Sequence, residues 1–526
     1  MTDTASGLGA DLTAAAAADA ATPTRASAWT QLRVVHKVCG LAALAWLSVL
    51  GGTGWILNHH DWRWSHQWTV PGWVTSPQIN RLVRGTIMRH IVMDPADASQ
   101  LVGASERGLW WTADRGATWT DTVWIGVEGL PQTYDLVPSV DGGFDRIWAA
   151  TDDGIWQVEG GGRQATRFAL AGQHVTALSP GSRPGELIGA VDEGRIFRLD
   201  TATPDAIAWT DVHDVVVTGL PDTVPLNRFT LDLHVGRGFL PGEWSLIVND
   251  YGGIAILVLS LTGILFWWLP RKWRHEKPKG KLKARQKALR WIYRGHAPVI
   301  GLLAVVPILY VSITGIMVDH IQTLITYGKD VKLPRAALPP LYDYANLEGE
   351  VSDVVAVPGE PARIQVASRF GILDSADGGQ TWAMDRSLPL AGDDDGSRYN
   401  LFRVGDRVFV GIGNYGQYSR RDGETAWTEL ALNGPKLAIT SATVQGNTWY
   451  LKNSRAIYAG RLGATFEDSA IAYPPVTGTT WFLFLADIHT GHIFRIDWSW
   501  INDIVAVLAI ALTLTGPVLW WRRKWA

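Results

Sequence analysis

Cysteine is almost absent from this chain of 526 residues, in which Cys39 is the single example. One thiol excludes an internal disulfide framework, and it excludes a Cys-x-x-Cys-His motif for covalent haem attachment. Domains outside a membrane must therefore be stabilised by packing alone.

Charged residues are also scarce, at 18% of the chain, whereas apolar residues make up 47%. This balance is typical of a protein with membrane segments. The net charge of −3 conceals one strongly basic segment, Arg271–Arg294, which holds 11 Lys or Arg residues against one acid. A glycine-rich dinucleotide motif after a strand is missing, so binding of NAD(P)H or flavin is unsupported. No nucleic acid is expected as a partner.

Four apolar runs are long enough to cross a bilayer as helices. The first, Val34–Leu57, reaches roughly 35 Å at about 1.5 Å per residue. The others are Tyr251–Leu269, Pro298–Val318 and Ile504–Trp521. Basic residues cluster between the second and third runs and after the fourth, which places both termini in the cytoplasm. The segments His59–Glu243 and Asp319–Ser499 then lie on the opposite side, which is the periplasm in a Gram-negative cell.

These features predict a multi-pass protein of the bacterial inner membrane, with α and all-β parts. The expected order is a disordered cytoplasmic tail (1–33), a first membrane helix (34–58), a first periplasmic β-segment (59–230), a periplasmic Asp-x-His segment with the second helix (231–269), a basic cytoplasmic loop (270–294), the third helix (295–319), a second β-segment (320–485), a second Asp-x-His segment with the fourth helix (486–521), and a cytoplasmic tail (522–526).

The segment Asp232–Leu269 occurs a second time, in weaker form, at Asp487–Trp521. The matching steps are Asp232 and Asp487, His234 and His489, Asn249-Asp250 and Asn502-Asp503, Thr262-Gly263 and Thr515-Gly516, and Trp267-Trp268 and Trp520-Trp521. The first and third runs are also related, because both carry a Thr-Gly step followed by a histidine. These are Thr53-Gly54 with His59, and Thr314-Gly315 with His320. The chain is therefore a duplicated helix–domain–helix unit, and its small residues predict close packing of four helices.

The two β-segments contain shorter repeats, spaced by roughly 40–46 residues as in the blades of β-propellers. Two of them, Thr112–Trp119 and Ser375–Trp382, resemble the Asp-box of sialidase-type and photosystem-assembly-factor propellers. In this motif the aspartate bonds its own turn, the glycine permits a positive φ and the tryptophan packs beneath. The residues concerned are Asp114, Gly116 and Trp119, and Asp377, Gly379 and Trp382. We expect them to be structural, in one propeller of about six blades or in two half-domains.

Histidine is concentrated at the ends of the apolar runs, where eight of the 13 histidines lie. They are His36, His59, His60, His234, His296, His320, His489 and His492. Neutral imidazole is a good ligand for haem iron, and helix bundles commonly hold cofactors between facing helices. The repeated pairs His234/His489 and His59/His320 favour cofactor ligation, whereas bonding to water or lipid headgroups is the alternative for any one of them. Zinc and copper are less suited, because their sites commonly use Cys or Met ligands that are missing nearby.

Carboxylates near these histidines could accept the second ring N–H of a ligand and fix its tautomer. The candidates are Asp232, Asp487, Asp250 and Asp503, together with the amide oxygens of Asn249 and Asn502. For the Asn-Asp steps, capping of a helix N-terminus is the alternative.

Two cofactor sites are expected if electrons cross the membrane. About 35 Å of helix separates His36 from His59, and a similar length separates His296 from His320, which one haem cannot bridge. The economical arrangement has an inner site near His36 and His296. An outer site then draws on His59, His234, His320 and His489.

The chain resembles the PepSY-associated transmembrane family. The similarity rests on HKVCGLAALAWLSVLGGTG, on DLHVGRGF with SLTGILFWW, on their repeat DIHTGHIF with TLTGPVLWW, and on the basic loop before GHAPVIGLLAV. The resemblance implies an inner-membrane, haem-b-containing reductase that releases iron from ferric siderophores in the periplasm. The Asp-box repeats depart from the periplasmic domains of that family.

Two functions from different classes follow. The first is a reductase with one or two haem b groups, which passes electrons from quinol or a protein donor, within membrane lipid, to a ferric siderophore or another periplasmic metal complex. The second is a non-catalytic membrane-anchored propeller that acts as a receptor or assembly factor. The sequence identifies no catalytic residue.

Overall fold

A computed structural model of the chain describes residues 28–59, 62–76, 79, 88–140, 143–237, 240, 244–274, 282–389, 399–413, 415–435, 437–475, 478–493 and 498–525. Most of the predicted tail and the middle of the predicted basic loop lie outside these residues. The chain divides into two compact units. One comprises Met1–Ser48, Ala255–Leu309 and Val507–Ala526, and the other comprises Val49–Ile254 and Tyr310–Ala506.

Helices cover the apolar runs and the segments that lead into them. They are α1 (Ala28–Asn58), α2 (Arg63–Gln67), α3 (Leu226–His234), α4 (Trp244–Arg274), α5 (Leu282–Arg294), α6 (Val305–Asp319), α7 (Ile321–Gly328), α8 (Trp481–His489) and α9 (Trp500–Trp525). A π-helix, Gly295–Gly301, follows α5, and short 3-10 helices cover Arg335–Ala337 and Pro340–Asp343.

Among the described residues, three helices are long and apolar enough to cross a membrane: α1, α4 and Trp500–Arg523 of α9. A fourth span exists only if Leu282–Gly301 and Val305–Asp319 are taken together, and this pair is bent by 66°. The π-helix, which ends the first of these two segments, contains Pro298, which cannot donate a backbone hydrogen bond. The predicted third helix is therefore a broken one.

Helix boundaries differ from the sequence prediction on both sides of the basic segment. Helix α4 continues to Arg274, and α5 is helical throughout Leu282–Arg294, within the predicted loop. Helix α5 lacks glycine and proline and consists largely of Lys, Arg, Ala and Leu, which favour helix. Helix α1 likewise begins at Ala28, inside the predicted tail.

The rest of the second unit is built mainly from short strands. In chain order they are β1 (Thr69–Val70), β2 (Met88–Met93), β3 (Leu101–Ser105), β4 (Gly108–Thr112), β5 (Thr120–Asp121), β6 (Val123–Trp124), β7 (Thr133–Ser139), β8 (Gly143–Thr151), β9 (Gly154–Glu159), β10 (Gln164–Ala169), β11 (Val175–Pro180), β12 (Glu186–Val191), β13 (Arg195–Asp200), β14 (Thr203–Thr210), β15 (Val216–Thr218), β16 (Thr223–Pro225), β17 (Lys332–Pro334), β18 (Val351–Val357), β19 (Glu360–Ser368), β20 (Gly371–Ser375), β21 (Thr381–Met384), β22 (Tyr399–Val404), β23 (Arg407–Ile412), β24 (Gly416–Arg421), β25 (Thr428–Glu429), β26 (Ser441–Gln445), β27 (Thr448–Lys452), β28 (Ile457–Gly460), β29 (Glu467–Asp468) and β30 (Thr479–Thr480).

Six of the described sheets have four or five strands and follow one another along the chain. Their strand orders are β2-β3-β4-β5, β7-β8-β9-β10-β6, β11-β12-β13-β14, β18-β19-β20-β21-β15, β22-β23-β24-β25 and β26-β27-β28-β29. The first strands of successive sheets contact one another from β2 through β7, β11, β18 and β22 to β26, and β26 contacts β2. Strand β15 pairs with β21 across the two β-segments, so these segments share a sheet.

Apolar side chains fill the space between neighbouring sheets. Val102, Leu136 and Ile147 are buried between the first and second sheets, for example. Hydrogen bonds join the first and sixth sheets, because Ile91 N donates to Ser441 Oγ at 3.1 Å and Thr440 Oγ1 donates to the Arg89 carbonyl at 2.5 Å. Neighbouring sheets are thus held together by packing, and hydrogen bonds between residues far apart in the chain join the first and sixth sheets.

Both Asp-box turns are closed by bonds within the motif. Asp114 accepts from Thr118 N at 2.8 Å, and Asp377 accepts from Thr381 N at 2.9 Å. The neighbouring threonine hydroxyl and backbone bonds lower the pKa of each aspartate to about 2. In the first motif Gly116 has φ +83° and Trp119 Nε1 donates to Ala472 O at 2.9 Å. In the second, Gly379 has φ +99° and the buried Trp382 donates to its carbonyl at 3.0 Å.

Candidate functional site

His234 and His489, the histidines of the duplicated Asp-x-His steps, form a pair. His234 is the last residue of α3 and His489 the last residue of α8. Their ring centroids lie 6.5 Å apart. Burial lowers the pKa of each imidazole to about 4, so both rings are neutral at pH 7.

A threonine hydroxyl fixes the tautomer of each ring. His234 Nδ1 lies 3.2 Å from Thr314 Oγ1, and His489 Nδ1 lies 2.9 Å from Thr53 Oγ1. Both hydroxyls donate their single proton to the carbonyl four residues earlier, at 2.7 Å for Thr314 and 2.8 Å for Thr53. Each oxygen must therefore accept from the histidine, which makes Nδ1 the protonated nitrogen and leaves a lone pair on Nε2.

The glycine after each threonine lets the imidazole approach the helix closely. A Cβ added at Gly54 would lie 3.1 Å from Cε1 of His489. A Cβ added at Gly315 would lie 3.5 Å from Cε1 of His234. Each Thr-Gly pair thus contacts one imidazole ring, through the threonine hydroxyl and the surface left open by the glycine.

The same arrangement occurs in the other unit, around His36 and His296. Their Nδ1 atoms lie 2.8 Å from Thr515 Oγ1 and 2.8 Å from Thr262 Oγ1, respectively. Both hydroxyls again donate to the carbonyl four residues earlier, at 2.7 Å. The glycines that follow are similarly close to the rings: a Cβ added at Gly516 would lie 3.5 Å from Cε1 of His36, and one added at Gly263 would lie 3.6 Å from Cε1 of His296. His36 and His296 are also close enough to interact electrostatically.

The family comparison covers most of the chain. Residues 73–523 match the model of the PepSY-associated TM region. The chain belongs to this family. It is therefore a membrane protein. The Thr-Gly pairs and histidines described above lie in the helices of this PepSY-associated TM protein and in the segments beside them.

No curated protein matches this PepSY-associated TM protein. An ancestral GH74 enzyme is similar at 11% identity over 73% of this chain and 38% of its own, with a TM-score of 0.32. PorZ, a surface component of the type-IX secretion system of Porphyromonas gingivalis, is similar at 12% identity over 74% of this chain and 33% of PorZ, with a TM-score of 0.34. U3-55K is similar at 7% identity over 75% of this chain and 84% of U3-55K, with a TM-score of 0.33. This chain thus spans well under half the length of the first two.

His59 and His320, the other repeated pair, contact carboxylates. His59 Nε2 lies 3.0 Å from Asp250, and His320 Nε2 lies 3.0 Å from Asp503. His59 also stacks on Trp62, with ring centroids 4.6 Å apart. The aspartates of the two Asn-Asp steps therefore bond these histidines and not His234 and His489.

The asparagines of the same steps support the paired histidines through the backbone. Asn249 Nδ2 donates to the carbonyl of His234 at 3.0 Å, and Asn502 Nδ2 donates to that of His489 at 2.9 Å. These bonds satisfy a carbonyl at the C-terminal end of α3 and of α8, which the helices themselves leave unpaired. They also tie each histidine to the start of the next membrane helix of this PepSY-associated TM protein.

The predicted partnership of Asp232 with a histidine is corrected by its contacts. Asp232 accepts from Arg369 at 2.7 Å and from Tyr342 at 2.7 Å, so both oxygens are engaged by the β-rich part of the unit. Asp487 interacts with Ser76 and lies near His492. Threonine hydroxyls, and not Asp232 and Asp487, bond the ring nitrogens of His234 and His489. The available signal is the Thr-Gly pair in all four apolar runs, which by itself chiefly predicts close helix packing.

Proposed function

We propose that this PepSY-associated TM protein binds haem b at two sites and passes electrons across the inner membrane to a periplasmic acceptor. The observation that carries the proposal is the repeated histidine–threonine pair, in which Nδ1–H is bonded and Nε2 keeps its lone pair. Nε2 is a nitrogen through which imidazole binds haem iron, and a bonded second nitrogen is the usual support for such a ligand.

His234 and His489 are near enough to each other that both imidazoles would hold one haem group. Their ring centroids lie 6.5 Å apart. Among the described residues no group of three or more His, Cys, Asp or Glu is placed to hold a metal ion, so the paired imidazoles are the better candidates.

Each residue type has a separate task in this proposal. Haem supplies one-electron transfer between ferric and ferrous iron when it is bound. The four histidines would provide nitrogen ligands, the four threonines would hold the rings in one tautomer and orientation, and the four glycines would let the rings lie close to the helices. The His36–His296 site lies in the first unit and would receive electrons from quinol or a protein donor. The His234–His489 site lies in the unit with the sheets and would deliver them.

The six sheets are best interpreted as the blades of a six-bladed β-propeller in the periplasm. Support comes from the ring of first strands and from the basic α5, whose residues favour the cytoplasmic side of the membrane. A propeller beside the His234–His489 site offers a rigid surface against which a ferric siderophore could be held. The expected reaction converts one hydroquinone and two ferric ions into a quinone, two ferrous ions and two protons.

Sealed vesicles test this proposal directly. The purified protein is inserted into vesicles with a hydroquinone in the bilayer and a ferric siderophore in the compartment that contains the sheets. Ferrous iron, trapped by a coloured chelator, should appear only with the protein, and His36→Ala should slow it. A rate equal to that of protein-free vesicles would contradict electron transfer and favour a receptor or assembly factor.

A further inference from the structure

A buried ion network joins α3 to the fourth sheet. Asp232 lies two residues before His234 and is 2% exposed. It accepts from Arg369 Nη1 at 2.7 Å, and its other oxygen accepts from the Tyr342 hydroxyl at 2.7 Å. Arg369, in the turn between β19 and β20, also makes two bonds to Glu350, at 2.9 and 3.0 Å. Buried ions engaged on all sides in this way hold one geometry.

The duplicated copy of the helix has a different environment. Four residues before Asp232 stands Arg228, whose Nε lies 3.3 Å from the carboxylate and whose side chain is almost fully buried. Four residues before Asp487 stands Leu483, and Asp487 interacts with Ser76. The two histidines of one site are therefore supported unequally: His234 is linked to charged groups of the fourth sheet.

We propose that Arg369 is a positioning residue for His234, and that its charge, acting with Asp232, sets the reduction potential of iron held by His234 and His489. This inference rests on the proposed function. Charges act strongly on one another where water is excluded, because the effective dielectric constant is low. A buried cation close to the site disfavours the ferric state, which carries one more positive charge, and a buried anion favours it.

Two charge-removing variants of the full-length protein test this inference. Arg369→Gln should lower the midpoint potential of the site, and Asp232→Asn should raise it. Arg369→Lys keeps the charge and should restore most of the wild-type potential. The control is Arg363→Gln in the same sheet, where Arg363 bonds Asp374 at a partly exposed position, and it should leave the potential unchanged. Haem content and the thermal midpoint are measured beside the potential.

Opposite shifts in the two variants at full haem content would support the inference, since simple loosening of the fold would move both in one direction. Equal potentials, or shifts of the same sign, would overturn it. If the wild-type protein binds no haem, the proposed function fails, and amide hydrogen exchange still tests the positioning role. Arg369→Gln should then accelerate exchange in α3 and leave α8 unchanged, and unchanged exchange in α3 would overturn that role.

Discussion

At the scale of single residues, the hydroxyls of Thr314 and Thr53 decide the tautomer of the His234–His489 pair. Thr314→Val keeps the shape of the side chain and removes the acceptor for Nδ1–H. We expect haem to bind roughly 10–100-fold more weakly, the usual effect of losing such a supporting bond. Titration of haem into haem-depleted protein measures this.

Thr513→Val is a matched control for that variant. Thr513 is buried in α9 and donates to the carbonyl of Ala509 at 2.7 Å, in the same way as the other threonines. It should leave haem affinity unchanged. Equal weakening in both variants would show that the hydroxyls serve the helices and not the histidines.

The part of the site that the sequence could predict is the part encoded locally. The Asp-box turns are closed by bonds across four residues, and the duplicated histidines stand at recognisable positions. The partner of His489 is Thr53, which lies 436 residues away, and no local pattern reports such a contact. For the same reason the bonding of Asp232 to Arg369, 137 residues away, could not be read from the chain.

At the scale of the elements, Lys452 joins the sixth sheet to the first by hydrogen bonds. This side chain is fully buried, donates to the carbonyls of Met88 and Arg89, and lies 2.8 Å from Thr440 Oγ1. Burial, with a smaller effect of Arg89, lowers the pKa of Lys452 to about 7. The unfolded chain, with the ordinary value of 10.5, binds more protons between pH 7 and that value.

The stability of the β-rich unit should therefore rise as the pH increases from 7 to 9. Lys452→Met removes the titrating group, so the thermal midpoint of this variant should no longer rise with pH. Lys329→Met, at an exposed position, should keep the rise seen in the wild type. The measurement is a thermal unfolding series over this pH range. If the thermal midpoint rose equally with pH in the Lys452 variant and in the wild type, the Lys452 amine would not be the responsible group.

The helices show a similar division between what is local and what is not. Apolar composition identified all four runs, but it does not report that helix continues through Arg274 or that Leu282–Gly301 is bent by 66° from Val305–Asp319. A cluster of basic residues marks the orientation and suggests a cytoplasmic loop, although Lys and Arg are also good helix formers. The sheet shared by β15 and β21 also arises from segments far apart in the chain.

At the scale of the whole molecule, the proposal depends on the orientation in the membrane. Reporter fusions at Lys281 and Gly160 test it, because one lies in the basic segment and the other in the first β-segment. We expect the reporter fused at Lys281 to be in the cytoplasm and the reporter fused at Gly160 to be in the periplasm. The reverse pattern would remove the basis for a periplasmic acceptor.

The most direct test of the central claim is the absorption spectrum of purified protein, oxidised and then reduced with dithionite. The wild type should show a Soret shift and a b-type α band. His234→Ala and His489→Ala should each lose the haem of their site together with reductase activity, and His36→Ala and His296→Ala should lose the haem of the other site while retaining that of the His234–His489 site. His213→Ala, at an exposed histidine bonded to Asp211 and Glu348, should match the wild type. Full haem content in both the His234 and His489 variants, or a featureless wild-type spectrum after expression with ample haem, would contradict the account.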